Sequence, residues 1–226
     1  MFLIDRALDH LRIAPGKCAA IVQGFGNVGS VIAGGLAFKS GMKVVGLSDH
    51  TVALYDPNTA LMSPLPTDTC RSTEPYGDFP AGERVDPKEF LTLPCDVLVP
   101  AAVERVITAE NAGRLRCRVL AEAANGPTTP EADEILNQRW ADVFVIPDIL
   151  CNAGGVIVSY FEWVQDLQNF LWADIEITDR LYRILEIAFT AVIKRSKERK
   201  IPHRTSALSI GVERVVAARQ ARGSLP

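Results

Sequence analysis

Three short stretches of the sequence carry residue types whose spacing could do chemistry. The first is GFGNVG at 24–29, which fits G-x-G-x-x-G, follows the apolar run AAIVQ (19–23) and opens a helical pattern. In that context the pattern cradles a pyrophosphate. Gly24 allows the tight turn, Gly26 lets backbone N–H groups approach the anion, and Gly29 lets helix and strand pack closely. Phe25, Asn27 and Val28 fill the positions between them. The unpaired amides and dipole of the helix start favour a negative charge there. Ser48 and Asp49 close the next apolar run, about twenty residues past Gly29, where an acid can bond an adenosine ribose. A turn with packing glycines would show the same residues, and a single nucleotide or another phosphate ligand remains open. The loop lacks a GK[ST] ending, which excludes a P-loop.

The other two stretches are ANGP (124–127) and NAGGVIVSYFEW (152–163). ANGP follows a strand-like run, at the carboxyl edge where open α/β sheets bind ligands; taken alone, Asn125 is an ordinary turn residue before Gly-Pro. In the third stretch, Val156, Ser159, Tyr160 and Trp163 fall at i, i+3, i+4 and i+7, so they share one helix face. Asn152 stands before a pair of glycines at the start of that helix. Read from the residues alone, Ser159 is a buried hydroxyl bonded to a carbonyl one turn earlier, and the aromatic side chains are packing. Cys151 reads as an inert, half-buried thiol.

The elements that must position these residues follow from periodicity. FLIDRALDHL (2–11) is helical, and APGK (14–17) stops it. Strand-like runs follow at 19–23, 43–48, 96–100, 118–123 and 143–147, with helical segments from Asn27 to Gly41, near 108–115 and near 130–139. The last of these starts at Thr128 or Thr129, with Pro130 in its first turn and Glu131 near the third position, a capped start. Alternating strands and helices mean right-handed crossovers and a parallel sheet covered on both faces. The stretch 55–90 is rich in Pro, Thr, Gly and Asp; it reads as a surface excursion carrying at most a short helix. Past residue 150 only helices are expected, near 153–171, 176–199 and 204–222.

Composition excludes several functions. Lys and Arg number 24 against 27 Asp and Glu, a net charge of −3, which favours neither nucleic acid nor an anionic membrane surface. The basic run KRSKERK (194–200) is a solvated helix end. Cys18, Cys70, Cys95, Cys117 and Cys151 are scattered and odd in number, so free thiols in a reducing compartment are expected, with no disulfide framework or zinc site. His10, His50 and His203 make no metal spacing. No apolar run is long enough for a membrane span, and the charged start MFLIDRALDHL is not a signal peptide. The cytoplasm is the expected compartment.

Four blocks, VQGFGNVGS (22–30), PAAVERVITAENA (100–112), EAANGPTTPEAD (122–133) and VIPDILCNAGGVIVSYFEWVQ (145–165), together with the tail PHRTSALSIGVERVVAARQARGSLP (202–226), resemble the coenzyme-binding half of the Glu/Leu/Phe/Val dehydrogenase family. The resemblance covers nearly the whole chain in order, and NAGGVIVSYFEWVQ is similar to the glutamate type. It implies a doubly wound, Rossmann-like parallel sheet with C-terminal helices. The expected division is a connecting helix at 1–14, a Rossmann core at 15–150 and a helical section at 151–226. It implies that Ala124 and Asn125 approach a nicotinamide and that Asn152 supports its carboxamide side. Pro100, Ala101 and Ala102 would line the adenosine half, Ser159 would meet the distal carboxylate of glutamate, and Val156 would line that pocket. The acid at Asp49, with only His50 and no arginine close behind it, favours NAD, with NADP the alternative.

The family's amino-acid-binding domain, with its catalytic lysine and aspartate, has no counterpart in these residues, so no catalytic residue is assigned within them. The chain alone is expected to bind a dinucleotide and to be inactive on glutamate and 2-oxoglutarate, which it would handle only with a substrate domain. A non-catalytic dinucleotide-binding module with a regulatory or interaction role is the alternative. The faces of Met1–Leu11 and of the helices past 150 are expected to expose apolar surface and to drive self-association.

Overall fold

Short aliphatic runs pair into one seven-stranded sheet: β1 (Ala19–Gln23), β2 (Lys43–Ser48), β3 (Ala53–Tyr55), β4 (Glu83–Arg84), β5 (Val97–Pro100), β6 (Val119–Ala121) and β7 (Phe144–Ile146), in the order β4-β3-β2-β1-β5-β6-β7. The structure is a computed structural model and describes residues 1–62 and 82–223. Within the stretch 55–90, residues 63–81 therefore lie outside the described residues, as do Cys70 and the closing Ser-Leu-Pro. The chain divides into two units, Met1–Asp148 and Ile149–Pro226.

In the first unit, β1 pairs in parallel with β2 on one side and β5 on the other, and β6 and β7 continue the parallel set. Strands buried on both faces read as continuous apolar runs; all four residues of β5 and all three of β6 are buried. Helix α2 (Asn27–Phe38) makes the first crossover and packs on β1 and β2. Helix α1 (Phe2–His10) lies on β6 and β7. The short α3 (Ala109–Ala112) and α4 (Pro130–Gln138) lie against each other. Arg139, just past α4, donates to the carbonyls of Ala112 (2.8 Å) and Leu115 (2.9 Å) and so ties the two helix ends together. The α4 start is the expected one. Thr129 is the N-cap, its hydroxyl accepts from the N–H of Ala132 at 3.3 Å, and Pro130 follows. Backbone N–H first, then the Thr129 hydroxyl, hold the Glu131 carboxyl below the usual range.

Three expectations need correction. The sheet is not wholly parallel, because β3 and β4 run antiparallel at the β2 end. They cover backbone groups that β2 would otherwise leave unpaired at an edge. The end of the 55–90 stretch is not surface. A single 3₁₀ turn, Phe90–Thr92, puts Phe90 and Leu91 into the core with Ile21, Leu98 and Ile107. Finally, α1 does not expose its apolar face, because Leu3, Ile4, Ala7 and Leu8 are all buried.

The second unit is helical: α6 (Ala153–Gln168), α7 (Asp174–Arg199) and α8 (His203–Ala221) follow the short α5 (Asp148–Cys151), whose first residue closes the first unit. Asn169 ends α6 in the left-handed conformation, φ 48°. The buried Gln165 amide oxygen then accepts from the N–H of Trp172 at 2.7 Å, which fixes the turn into α7. Arg180 stacks over the Trp172 ring at 4.3 Å. Helices α7 and α8 are joined by Arg195, which pairs with Glu213 at 2.6 Å, and by the buried Ser206 hydroxyl donating to Val192 O at 2.8 Å. Among the described residues no helix is long and apolar enough to cross a membrane.

Candidate functional site

From β1 the chain builds outward through β2, β3 and β4, then returns to place β5 on the other side of β1. The strand order thus reverses between β1 and β5, and the crevice beyond the carboxyl ends of such a pair is where open α/β sheets bind ligands. The glycine loop occupies that point.

Each glycine there has a separate physical reason. Gly24 has φ +89°, and a Cβ on it would lie 2.7 Å from the Cβ of Ala102. A Cβ on Gly29 would lie 1.7 Å from the carbonyl oxygen of Gly24, so α2 sits directly on the turn only because both residues lack side chains. Gly26 differs: a Cβ there would meet no protein atom within 4 Å. It is the N-cap of α2, and no side chain caps the amides of the first turn. Gly26, Asn27 and Val28 are exposed, Phe25 half-buried and Gly29 buried. The turn is also tied laterally: the Gly24 N–H donates to Ser48 O at 2.9 Å, and the Ala101 N–H donates to Gln23 O at 2.8 Å.

The structure therefore brings together the loop 24–29, Ser48 and Ala101–Ala102 at one edge. Asp49 follows Ser48. Its Oδ1 accepts from the Thr51 N–H (2.7 Å), the Thr51 hydroxyl (2.6 Å) and the Val52 N–H (2.9 Å), so the carboxylate is held by its own turn. Ala124 joins the same edge, its N–H donating to Pro100 O at 2.9 Å. Asn125 is exposed at the tip of its loop, before Gly126 at φ +54°. In the second unit, Asn152 is the half-buried N-cap of α6; Val156, Ser159, Tyr160 and Trp163 are all exposed along that helix. Ser159 is therefore not the fully buried hydroxyl expected from the residues alone. The rings of Tyr160 and Trp163 lie 5.8 Å apart.

Two features escaped the reading of the sequence. Gln23, the last residue of β1, keeps Oε1 buried with no hydrogen-bond partner, an acceptor that the protein leaves unmet at the switch point. Glu122 is fully buried yet carries a carboxyl group. The available signal was a lone carboxyl residue in the apolar run RVLAEA, since a carboxyl group buried in a sheet must find donors.

The edge has the features a dinucleotide needs: an uncapped helix start, an open space above Gly26 and an acid just past the end of the next strand. Three of the thiols are poorly suited to nucleophilic chemistry. The four described cysteines form no disulfide. Burial pushes the Cys117 thiol up to about 12 and raises Cys95 and Cys18 as well, the opposite of an activated nucleophile. Among the described residues no group of three or more His, Cys, Asp or Glu could hold a metal ion.

Comparison with known proteins agrees with this geometry. Residues 1–223 match the family model described as Glutamate/Leucine/Phenylalanine/Valine dehydrogenase. The glutamate dehydrogenase of Thermotoga maritima is 44% identical over 223 residues, covering 97% of this chain and 52% of that protein. The NAD-specific glutamate dehydrogenase of Staphylococcus aureus is 42% identical over 222 residues, again 97% and 52%. Among solved structures, the leucine-bound hetero-hexameric glutamate dehydrogenase of Thermus thermophilus superposes with a TM-score of 0.86 at 28% identity, covering all of this chain and 52% of its own. The chain thus spans about half the length of the relatives it matches.

Proposed function

The chain belongs to the Glutamate/Leucine/Phenylalanine/Valine dehydrogenase family, and from that premise we propose that it is the coenzyme-binding half of a glutamate dehydrogenase. The whole enzyme would convert L-glutamate, NAD(P)+ and water to 2-oxoglutarate, ammonia and NAD(P)H. The observation that carries the reading is the uncapped start of α2 with open space over Gly26, set where the strand order reverses.

The roles follow residue by residue. Amides of the loop 24–29 hold the pyrophosphate. Asp49, oriented by its own turn beside Ser48, bonds the adenosine ribose; its negative charge disfavours a 2′-phosphate, so NAD is the preferred coenzyme and NADP the weaker one. The relative from Staphylococcus aureus, named NAD-specific, supports this choice. Ala101 and Ala102 line the adenosine half. Ala124 and Asn125 meet the nicotinamide, and Asn152 supports its carboxamide. Val156 and Ser159 receive the side-chain end of glutamate. When bound, the coenzyme supplies the hydride acceptor. Deamination also needs acid–base groups beside the reacting carbon; these we assign to the part of such an enzyme outside the 226 residues. The cytoplasm is the proposed compartment. Self-association into an oligomer fits the hetero-hexamer named for the Thermus thermophilus relative.

The test is direct. The 226-residue chain should bind NAD and form no NADH from glutamate. Joined to the amino-acid-binding half of a glutamate dehydrogenase it should become active, and Ser159→Leu should lower that activity. Glutamate oxidation by the chain alone would overturn the division of labour. A folded fusion that binds NAD and stays inactive would favour a non-catalytic dinucleotide-binding module.

A further inference from the structure

We propose that Glu122 is a positioning residue which, through Thr128 and Asp148, sets the shape of the loop 123–128 and so controls binding of the nicotinamide half of the coenzyme. The inference rests on the dinucleotide reading above and extends it to residues that would touch no ligand.

Glu122 stands at the carboxyl end of β6 and is completely buried. A buried carboxyl group is costly, and an apolar side chain of similar volume generally serves stability as well or better. What an apolar residue cannot do is hold two separate donors at fixed positions. The two oxygens of Glu122 do this. Oε1 accepts from the Thr128 hydroxyl at 2.5 Å, and Oε2 accepts from the backbone N–H of Asp148 at 2.9 Å. Asp148 passes the constraint on, since its Oδ2 accepts from the N–H of Gly126 at 2.9 Å. One carboxyl group thus grips the loop at its far end through Thr128 and at its tip through Asp148.

Backbone bonds complete the frame. The Ala124 N–H reaches Pro100 O, the Arg105 N–H reaches Gly126 O and the Ile107 N–H reaches Pro127 O, each at 2.9 Å. Asn125 is the exposed residue in the middle. A loop held this way meets its ligand without paying to become ordered. The adenosine half of the site, at Gly24–Gly29, Ser48 and Asp49, takes part in none of the Glu122–Thr128, Glu122–Asp148 and Asp148–Gly126 bonds. Breaking them should therefore weaken contacts to the nicotinamide and spare those to ADP-ribose.

The experiment compares two ligands on the 226-residue chain, NADH followed by its nicotinamide fluorescence and ADP-ribose followed by calorimetry. The native chain should bind both, NADH more tightly. Glu122→Ala should weaken NADH by about ten-fold or more, the size expected for losing hydrogen bonds to a carboxyl group, and should lose the fluorescence change, while ADP-ribose stays within about two-fold. Glu122→Gln should rescue, because its amide oxygen can accept from Asp148 and its NH₂ can donate to the Thr128 hydroxyl. If Glu122→Ala fails to fold, the near-isosteric Thr128→Val and the partly exposed Asp148→Ala carry the same comparison. Folded variants that bind NADH as the native chain does would overturn the proposal, as would equal losses for both ligands. A folded native chain that binds neither ligand would instead overturn the dinucleotide reading, and this inference with it.

Discussion

Gly26→Ser should separate coenzyme binding from stability. Gly26 is the N-cap of α2 with φ −81° and ψ −161°, extended backbone that any residue adopts, and a Cβ there meets nothing within 4 Å. Serine is a good N-cap, its hydroxyl accepting from an amide of the first turn; against glycine this adds a few tenths of a kcal/mol, or about 1 °C in Tm for a chain of this size. Those amides are the ones assigned to the pyrophosphate, so the new hydroxyl competes with the ligand, and binding should fall by at least about ten-fold, or 1.4 kcal/mol. Gly29→Ala is the opposite case. Its Cβ would sit 1.7 Å from the Gly24 carbonyl oxygen, α2 must move, and overpacking of this kind costs about 1–3 kcal/mol, or roughly 2–12 °C. The assay is thermal unfolding with and without NADH. At 100 times Kd the native chain gains about 2.7 kcal/mol, a rise of roughly 5–11 °C. Gly26→Ser should melt at or slightly above the native temperature and lose most of that rise. Full stability with the full ligand-induced rise in Gly26→Ser would refute the reasoning, and so would native stability in Gly29→Ala.

Three further outcomes are expected. Asp49→Asn keeps an oxygen for the Thr51 and Val52 amides but removes the charge, so competitive titration should show the preference for NAD over NADP fall by about ten-fold, or 1.4 kcal/mol; an unchanged ratio would remove Asp49 from the ribose site. Stability should decline as pH rises from about 9 toward 12. Burial holds the Cys117 thiol protonated to about 12 in the folded chain while the unfolded chain ionises earlier, a loss of up to about 1.4 kcal/mol per pH unit for such a thiol; Cys117→Ala should flatten that slope in denaturant titrations. Val156, Tyr160, Trp163 and Leu167 lie 57–71% exposed along one face of α6, so sedimentation should show concentration-dependent association that Trp163→Glu weakens, and a monodisperse native monomer at high concentration would count against it.

Local pattern determined much of this protein. The apolar runs became β1 and β2 with the expected ends, and β5, β6 and β7 with ends shifted by at most two residues, because strand formation follows continuous burial of aliphatic side chains. Thr129-Pro130 marked the start of α4, because a cap is satisfied within one turn. The glycine loop was legible for the same reason: turn, close approach and helix start all lie within six residues, GFGNVG.

What escaped depends on residues far apart in the chain. Strands β3 and β4 have three residues and two, too few for a period, and exist because β2 offers them an edge. The apolar stripe of α1 is covered only because β6 and β7, more than a hundred residues later, pass beneath it. The order that brings Gly24 against Ala102 is set by which strands pair, and no window of sequence records that. Glu122 shows the limit most sharply. Its two donors come from 6 and 26 residues away, and only the packed sheet turns an acidic residue at a strand end into the clamp of a loop, since a carboxyl group tolerates burial only where folding has already delivered its donors.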